Sequence, residues 1–263
     1  MSHLICGHDS IEFGWLLMTW IPAMRYQSSK FTKTTVVCNK NNRYLYEDFA
    51  TDFVDYSKQG RRDRWLIEKK KPYVPKGILA KIGEGKYYVP SRKKCLSWKR
   101  TYRTYGQKKE ENRYDFIIHA RSVNNGDWID RSLPGGTRNW AEKKYIKLVK
   151  HFDGMRTCCV GTKAHYIKGT DDRRNISLKE LCSIMASSRM IVGTSSGPMH
   201  LASLCGCQQV VFSDRRLQKC IGGTNRDRYK TVWNPYGVAV KVMDEDNWNP
   251  PVKKVIKVME KRL

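Results

Sequence analysis

The chain of 263 residues carries 50 Lys+Arg against 25 Asp+Glu, a formal net charge of +25, and 40% of its residues are hydrophobic. This composition excludes a wholly disordered chain and is sufficient for a full core, most simply divided between two domains. A charge of this size attracts polyanions, either nucleic acid or an anionic membrane surface, although a lysine-rich proteome is an alternative source of it.

The N-terminal part of the sequence predicts alternating strands and helices. A short strand near Leu4 to Gly7 precedes a long apolar helix from Trp15 to Tyr26, which Pro22 should kink or start later. A second strand covers 34–38, and a second helical stretch covers 41–57. This order favours a parallel sheet covered by helices. The apolar stretch 13–24 lacks a basic leader and is too short to cross a bilayer, so we expect a cytoplasmic protein, in a host cytoplasm if it is viral.

A basic and aromatic segment follows. Residues 58–109 hold 18 Lys+Arg and only three acids, and residues 57–112 show weak periodicity, which predicts irregular chain or short hairpins. Cations interleaved with aromatic rings are the composition that a nucleic-acid surface needs, because the cations neutralise phosphates and the rings stack on bases. The candidate acceptor-binding residues are Arg61, Arg62, Arg64, Trp65, Lys69, Lys70, Lys93, Lys94, Trp98, Arg100 and Arg103.

The C-terminal part predicts a second α/β series. Strands are expected at 114–120, 155–161, 190–194 and 208–213. Helices are expected at 140–152, 177–189, where Ser177 is placed to cap, and 198–206. The long loop 121–139 after the first of these strands is of the kind that carries function. The sequence thus predicts two domains, 1–112 and 113–263.

The nine cysteines form no C-x-x-C pair, and most of them lie in apolar runs. They are therefore expected to be buried core residues in a reducing compartment, and no zinc site is predicted.

The stretch "RMIVGTSSGPMHLASLCGC", 189–207, places a glycine- and serine-rich turn between a strand and a helix. The unpaired N–H groups and the dipole at a helix start favour an anion, and Gly193 and Gly197 permit close backbone approach. Ser195 and Ser196 add hydroxyl donors, and His200 lies in the first turn. A phosphate or diphosphate is the predicted ligand. The alternative is an ordinary helix start with His200 as a packed core histidine.

The segment "SSGPMHLASLCG" resembles the D-[ST]-G-x-x-H-x-A-x-x-x-G motif of glycosyltransferase family 9, the ADP-heptose heptosyltransferase group. The resemblance extends upstream through "IIHARS", "TRNWAEKKYIKLVKHF" and "NISLKELCSIMASSRMIVG", so that residues 115–213 match in order and spacing. It implies a GT-B-like α/β fold, with two Rossmann-like domains facing a cleft and a reduced N-terminal domain. It also implies a metal-independent glycosyltransferase with a nucleotide-sugar donor and no cofactor.

The same resemblance assigns the donor site. Its diphosphate-binding residues would be Ser195, Ser196, Gly197, Pro198, Met199, His200, Arg121, Ser122 and Arg138. Ser195 stands where the family motif has an acid. The catalytic base would lie after the first strand, where Glu12 is the first candidate and Asp9 the second; either could instead merely complement a helix dipole. The acidic runs 171–172 and 244–246 are interpreted as solvated rather than as metal ligands.

Because the basic segment lies on the acceptor side, the leading hypothesis is sugar transfer to a hydroxymethylated pyrimidine in viral-type DNA. The first alternative is a glycan or lipid-linked acceptor such as lipopolysaccharide. The second is a non-catalytic nucleic-acid-binding protein on a glycosyltransferase scaffold, suggested by the serine at 195.

Overall fold

A computed structural model describes residues 2–7, 12–56, 74–90, 99–121, 138–162, 164–216 and 223–263. The chain divides into two compact units, Met1–Arg103 and Thr104–Leu263. Within the described residues, no helix is both long enough and apolar enough to cross a membrane.

The first unit contains a four-stranded sheet in the order β3-β2-β1-β4, in which all neighbours are parallel. Its elements are β1 (His3–Cys6), α1 (Phe13–Trp15), a π-helical segment (Leu16–Trp20), α2 (Ile21–Ser28), β2 (Lys33–Cys38), a 3-10 helix (Lys40–Leu45), β3 (Asp52–Asp55), α3 (Lys76–Ile82) and β4 (Lys86–Tyr88). Ile5, Val37 and Val74 form its small apolar cluster, with parts of α3 packed against it.

Three sequence predictions for this unit need correction. The first helix spans 13–28 with a π-helical middle, and Pro22 lies at the start of α2, where a missing N–H is tolerated. The helix predicted over 41–57 is wrong: a 3-10 helix, capped when Asn39 Oδ1 accepts from Asn41 N (2.9 Å), leads to strand β3. Within 57–112, the described part includes α3 and β4 rather than only irregular chain or hairpins, and β4 pairs parallel with β1.

The second unit contains a six-stranded parallel sheet in the order β10-β9-β8-β5-β6-β7. Its elements are a 3-10 helix (Glu110–Asn112), β5 (Phe116–His119), α4 (Glu142–His151), β6 (Thr157–Gly161), β7 (Asp171–Arg174), α5 (Leu178–Ser187), β8 (Met190–Thr194), α6 (Gly197–Leu204), β9 (Gln208–Phe212), α7 (Asn225–Lys230), β10 (Val240–Met243) and α8 (Val252–Glu260). The four strands and three helices predicted here are confirmed, and Ser177 Oγ accepts from Glu180 N (3.2 Å) as predicted.

Helices lie on both faces of this sheet. Alternate residues of β5, β8 and β9 point to the face that carries α4 and α8, and form one core with them. This core consists of Phe116, Ile118, Ala120, Trp140, Tyr145, Leu148, Phe152, Cys159, Ile167, Met190, Val192, Val210, Phe212, Met243, Val255 and Met259. Helices α5 and α6, which pack on each other and contribute nothing to that core, cover the opposite face.

The segment 104–112 belongs to the second unit, so the division falls between Arg103 and Thr104 rather than between 112 and 113 as predicted. Tyr105 N donates to Leu204 O (2.9 Å), and Ser183 Oγ donates to Gln107 O (2.9 Å). These bonds fix the segment on α5 and α6. The pattern of apolar residues could not predict this placement because the segment has no periodicity of its own.

The seven described cysteines are all buried and not disulfide-bonded, which confirms the core prediction for them. Cys95 and Cys220 lie outside the described residues.

Replacing Gly106 tests whether the segment 104–112 stabilises the second unit. Gly106 has φ +82°, and a Cβ there would collide with the Cys182 carbonyl on α5. Gly106→Ala should therefore lower the free energy of unfolding by about 2–5 kcal/mol, the sum of left-handed backbone strain and overpacking.

Gly154→Ala is the matched control. Gly154 has nearly the same φ, +83°, but open space around its Cβ position. The free energy of unfolding of Gly154→Ala should therefore fall by only about 1–2 kcal/mol. Equal losses for the two variants, measured by chemical denaturation, would show that segment 104–112 does not pack on α5.

Candidate functional site

The turn 193–197 lies at the point where the strand order of the second sheet reverses. From β5 the chain proceeds outward to β6 and β7, then returns to β8 on the other side of β5 and continues to β9 and β10. Ligands of open parallel sheets bind at the carboxyl ends of the strands at such a switch point. Ser195 N donates to Phe212 O (3.0 Å), which fixes the turn to the end of β9.

Helix α6 starts at this turn without a side-chain cap. Ser196, the residue before Gly197, is extended (φ −165°, ψ 178°), and its Oγ donates back to Thr194 O (2.9 Å). The Ser196 side chain accepts from none of the first-turn N–H groups. Pro198 has no N–H to satisfy. A helix start without a side-chain cap, together with the positive end of the helix dipole, favours an anionic ligand.

The ends of strands β6 and β8 pack closely around His119, at the end of β5 next to the turn. A Cβ at Gly193 would lie 2.6 Å from the His119 carbonyl oxygen, and one at Gly161 would lie 2.8 Å from His119 Nδ1. Only glycines at the ends of β8 and β6 allow these approaches. His119 Nδ1 lies 3.2 Å from Val160 O, so this nitrogen carries the proton and donates it.

Two arginines predicted from the sequence lie beside the turn. Thr194 Oγ1 donates to Arg138 O (3.0 Å), and the Arg138 guanidinium lies over the Trp248 ring, 5.3 Å from its centroid. Arg121 follows β5, and its N–H donates to His119 O (3.1 Å). Ser122, the third predicted residue of this loop, lies outside the described residues.

The backbone around Trp248, whose ring contacts Arg138, is strained. Asn247 and Trp248 have φ +50° and +67°, a conformation that residues other than glycine rarely adopt. Such strain is of order 1–3 kcal/mol per residue and persists only where surrounding contacts fix it. Here Trp248 N donates to Ser213 O (2.8 Å), and the ring is fully buried. Nothing in the sequence around Trp248 signals this role.

Ser195 and His200 face inward rather than toward the turn's open side. Tyr229 OH lies 3.5 Å from Ser195 Oγ and 3.3 Å from His200 Nδ1. The His200 ring packs on Trp233 at 4.2 Å between centroids, and both Ser195 and His200 are buried. Burial raises the pKa of Tyr229, so its hydroxyl stays protonated. This placement differs from the expectation that the His200 ring points at the ligand. In the sequence, the i, i+4 spacing of Tyr229 and Trp233 is the signal that could have indicated that these two rings lie together.

The acidic run 244–246 was wrongly interpreted as wholly solvated. The Asp244 side chain is only 3% exposed and binds Arg226, while Lys254 binds both Glu245 (2.8 Å) and Asp246 (3.0 Å). In the other run, Asp172 is exposed and its hydrogen bond from Arg174 lowers the pKa of the carboxyl to about 2. In the part of the chain that is described, no three His, Cys, Asp or Glu residues are grouped so as to hold a metal ion.

The candidate base Glu12 directly precedes α1 in the first unit. It is exposed, and its carbonyl accepts from Leu16 N (3.0 Å). Asp9 lies outside the described residues, as do all the candidate acceptor-binding residues except Arg100 and Arg103. Arg103 is half-buried and pairs with Asp48 (3.1 Å), which also binds Arg25. It therefore anchors the chain to the first unit instead of offering an unpaired cation to a polyanion.

Two parallel α/β sheets with the site at a switch point define a GT-B-like fold, as predicted. No family model matches the sequence, and no curated protein is similar to it in sequence. Among solved structures, the chain is similar to the E. coli heptosyltransferase WaaC with ADP, at 11% identity over 100% of both chains with a TM-score of 0.59. It is also similar to E. coli ADP-heptose LPS heptosyltransferase II (11% identity, 99% of this chain and 98% of that one, TM-score 0.57). A third similar structure is a glycosyl transferase family 9 protein of Veillonella parvula, at 12% identity over 100% of this chain and 90% of that one, with a TM-score of 0.56.

The pH dependence of stability tests the buried His119. Burial lowers the pKa of His119 to about 4, whereas an unfolded histidine titrates near 6.5. The stabilising effect of keeping the ring neutral is therefore complete above pH 6.5 and is lost as the pH falls toward 4. Between pH 6.5 and 5 the free energy of unfolding should fall by about 2 kcal/mol from this group.

His119→Gln should remove that part of the pH dependence, whatever its stability at pH 7. Denaturation curves for the wild type and the variant between pH 5 and 7 measure the slopes. A wild-type slope in His119→Gln would mean that His119 is not held neutral.

Proposed function

We propose that this protein is a glycosyltransferase that moves a sugar from a nucleotide-sugar donor to an acceptor hydroxyl. The observation that carries the proposal is the uncapped start of α6 at the switch point, with Arg138 fixed beside it by Thr194. The donor diphosphate would bind the half-buried part of the turn, 196–197, and the start of α6. Arg138 and Arg121 would supply the opposing charge.

The proposed reaction is the transfer of a sugar from a diphosphate leaving group to a hydroxyl. A base removes the proton of the acceptor hydroxyl, the oxygen forms a bond to the sugar's anomeric carbon, and the bond from that carbon to the diphosphate breaks. The nucleoside diphosphate leaves with the additional negative charge. Oriented N–H groups and guanidiniums stabilise such charge as it develops. Because they provide positive charge at the leaving group, we expect no metal requirement.

Glu12 is the first candidate for the base and Asp9 the second. Glu12 lies after β1 of the first unit, directly before α1, and its side chain is exposed. Both assignments rest on the family resemblance.

The favoured acceptor is a phosphorylated or lipid-linked glycan. The support is the similarity in fold to proteins named as heptosyltransferases, one of them acting on lipopolysaccharide by its name. The second candidate is a hydroxymethylated base in viral-type DNA, favoured by the 18 Lys+Arg of residues 58–109.

Removing the Arg138 side chain tests the donor site. Arg138→Ala should weaken ADP binding roughly 10- to 150-fold, because a charge-assisted hydrogen bond contributes about 1.5–3 kcal/mol. Isothermal titration calorimetry with ADP measures the change.

Arg189→Ala is the matched control, since Arg189 is 41% exposed, precedes β8 and thus lies at the opposite edge of the same sheet. It should bind ADP as the wild type does. Equal affinity of the Arg138 and Arg189 variants would contradict the placement of the diphosphate.

Transfer itself is tested by mass spectrometry of acceptors incubated with a panel of nucleotide sugars. The acceptors are lipopolysaccharide core oligosaccharide and duplex DNA containing hydroxymethylcytosine. Glu12→Gln should lower the turnover rate at least 100-fold with ADP affinity unchanged, because general-base catalysis contributes about 10²–10⁴-fold.

A wild-type rate in Glu12→Gln would exclude Glu12 and leave Asp9, tested by Asp9→Asn. ADP binding without transfer to any acceptor would instead favour the non-catalytic binding protein.

A further inference from the structure

Two rows of lysines cover the outer face of α4 and α8. The helices contact each other, and polar bonds join them near both ends. Lys144 Nζ donates to Asn249 Oδ1 (2.7 Å) just before α8, and His151 Nε2 lies 2.9 Å from Glu260 Oε1 at the far end. The helices therefore run side by side in the same direction along the sheet.

Each row follows the helical repeat on the side opposite to the core. Lys143, Lys147 and Lys150 are spaced i, i+4, i+7 on α4, whose Tyr145 and Leu148 are buried. Lys253 and Lys257 continue on α8 to Lys261 just beyond its end. All six lysines are exposed. Each row is about 10 Å long, and helix packing places the rows about 8–10 Å apart.

These six lysines are not neutralised by neighbours. No ion pair joins any of them to another residue of the described ranges, whereas Lys254 nearby is paired with Glu245 and Asp246. The acids of the two helices and their ends are Glu142, Asp153 and Glu260, and Glu260 is paired with His151. The face therefore has a clear excess of positive charge.

We propose that this lysine face, residues 143, 147, 150, 253, 257 and 261, docks on an anionic phospholipid surface. Two helices side by side on a sheet present a flat array of ammonium groups, which complements a plane of phosphate headgroups. Ile146, Val149 and Ile256 of the same helices are half-buried against the core, and lysine stems can cover such apolar surface while their charged ends reach the headgroups. The exposed positions of α4 and α8 hold no arginine and, apart from His151, no aromatic ring. Arginines and aromatic rings are the side chains that read or stack on bases, so duplex DNA is the less favoured partner.

Vesicle co-sedimentation tests the proposal and does not depend on the sugar-transfer reaction. The wild type should bind phosphatidylglycerol-containing vesicles and not pure phosphatidylcholine vesicles. Each lysine near such a surface contributes roughly fivefold in affinity. Replacing Lys147, Lys150, Lys257 and Lys261 by Gln should therefore lower the affinity by about 10²- to 10³-fold.

The matched control replaces four other exposed lysines by Gln, Lys76, Lys81, Lys108 and Lys179, none of which lies on α4 or α8. It carries the same net charge and should retain most of the vesicle binding. Thermal unfolding of both variants near the wild-type temperature establishes that they are folded.

Three results would overturn the proposal: no wild-type binding to anionic vesicles at low salt, an equal loss in the control variant, or unchanged vesicle binding in the lysine-face variant. A mobility shift with duplex DNA, run in parallel, distinguishes the other partner. If the lysine-face variant loses DNA binding but keeps vesicle binding, the face binds nucleic acid instead.

Discussion

The close approach of three strand ends around His119 is the constraint on which the second unit depends. Side chains at 161 and 193 would collide with the ring and carbonyl of His119, so the ends of β6, β5 and β8 can converge only with glycine at both positions. The convergence places the turn after β8 next to the chain leaving β5. Arg121 and the start of α6 thereby reach the same edge of the sheet. A buried ring that stays neutral is compatible with this packing, whereas a charged one would need a counter-ion that the surrounding backbone does not provide.

The serine at 195 is consistent with this uncharged interior. Ser195 is buried and lies within reach of Tyr229, whose hydroxyl also faces His200. An aspartate at the same position would place a carboxylate beside a phenol and an imidazole, and it would be stable only if it drew a proton or a cation toward it. Serine can instead lie beside the Tyr229 hydroxyl without adding a charge. Under the proposed function, the turn then presents no negative side chain to the donor diphosphate, and the affinity of the site depends on Arg138, Arg121 and the helix start.

The four strands and three helices that were predicted in the second unit have an apolar period of their own, as in 142–151 or 190–194. Strands β7 and β10 and helices α7 and α8 were not predicted; β7, for example, consists of two aspartates and two arginines and is defined by its pairing with β6. The first unit was harder: Leu45, Phe49 and Phe53 are spaced like one face of a helix, yet tertiary pairing with β2 makes 52–55 a strand. At the candidate site, the local turn was predictable from glycine, serine and proline spacing. The contributions of Tyr229, Trp233 and Trp248 to the site were not predictable. These residues are distant from the turn in sequence, and only the folded sheet brings them close to it. Asp244 was likewise predicted to be solvated, because its burial and its pairing with Arg226 depend on the tertiary fold and not on the local sequence.

The positive charge of the second unit is of two physical kinds. The Arg138 backbone carbonyl accepts from Thr194 and its guanidinium lies over the Trp248 ring, so this side chain can orient a ligand at short range. The six lysines of the lysine face are exposed, and they act at long range in a way that salt screens. Helix α4 connects the two, because it begins four residues after Arg138 and carries one lysine row. With the lysine face on a bilayer, α4, α8 and the strands beneath them would run parallel to the membrane plane. The carboxyl edge of the sheet would then open along the membrane surface rather than away from it, one helix layer (about 10 Å) above the headgroups. Under the proposed function, this orientation favours an acceptor that extends from the membrane surface.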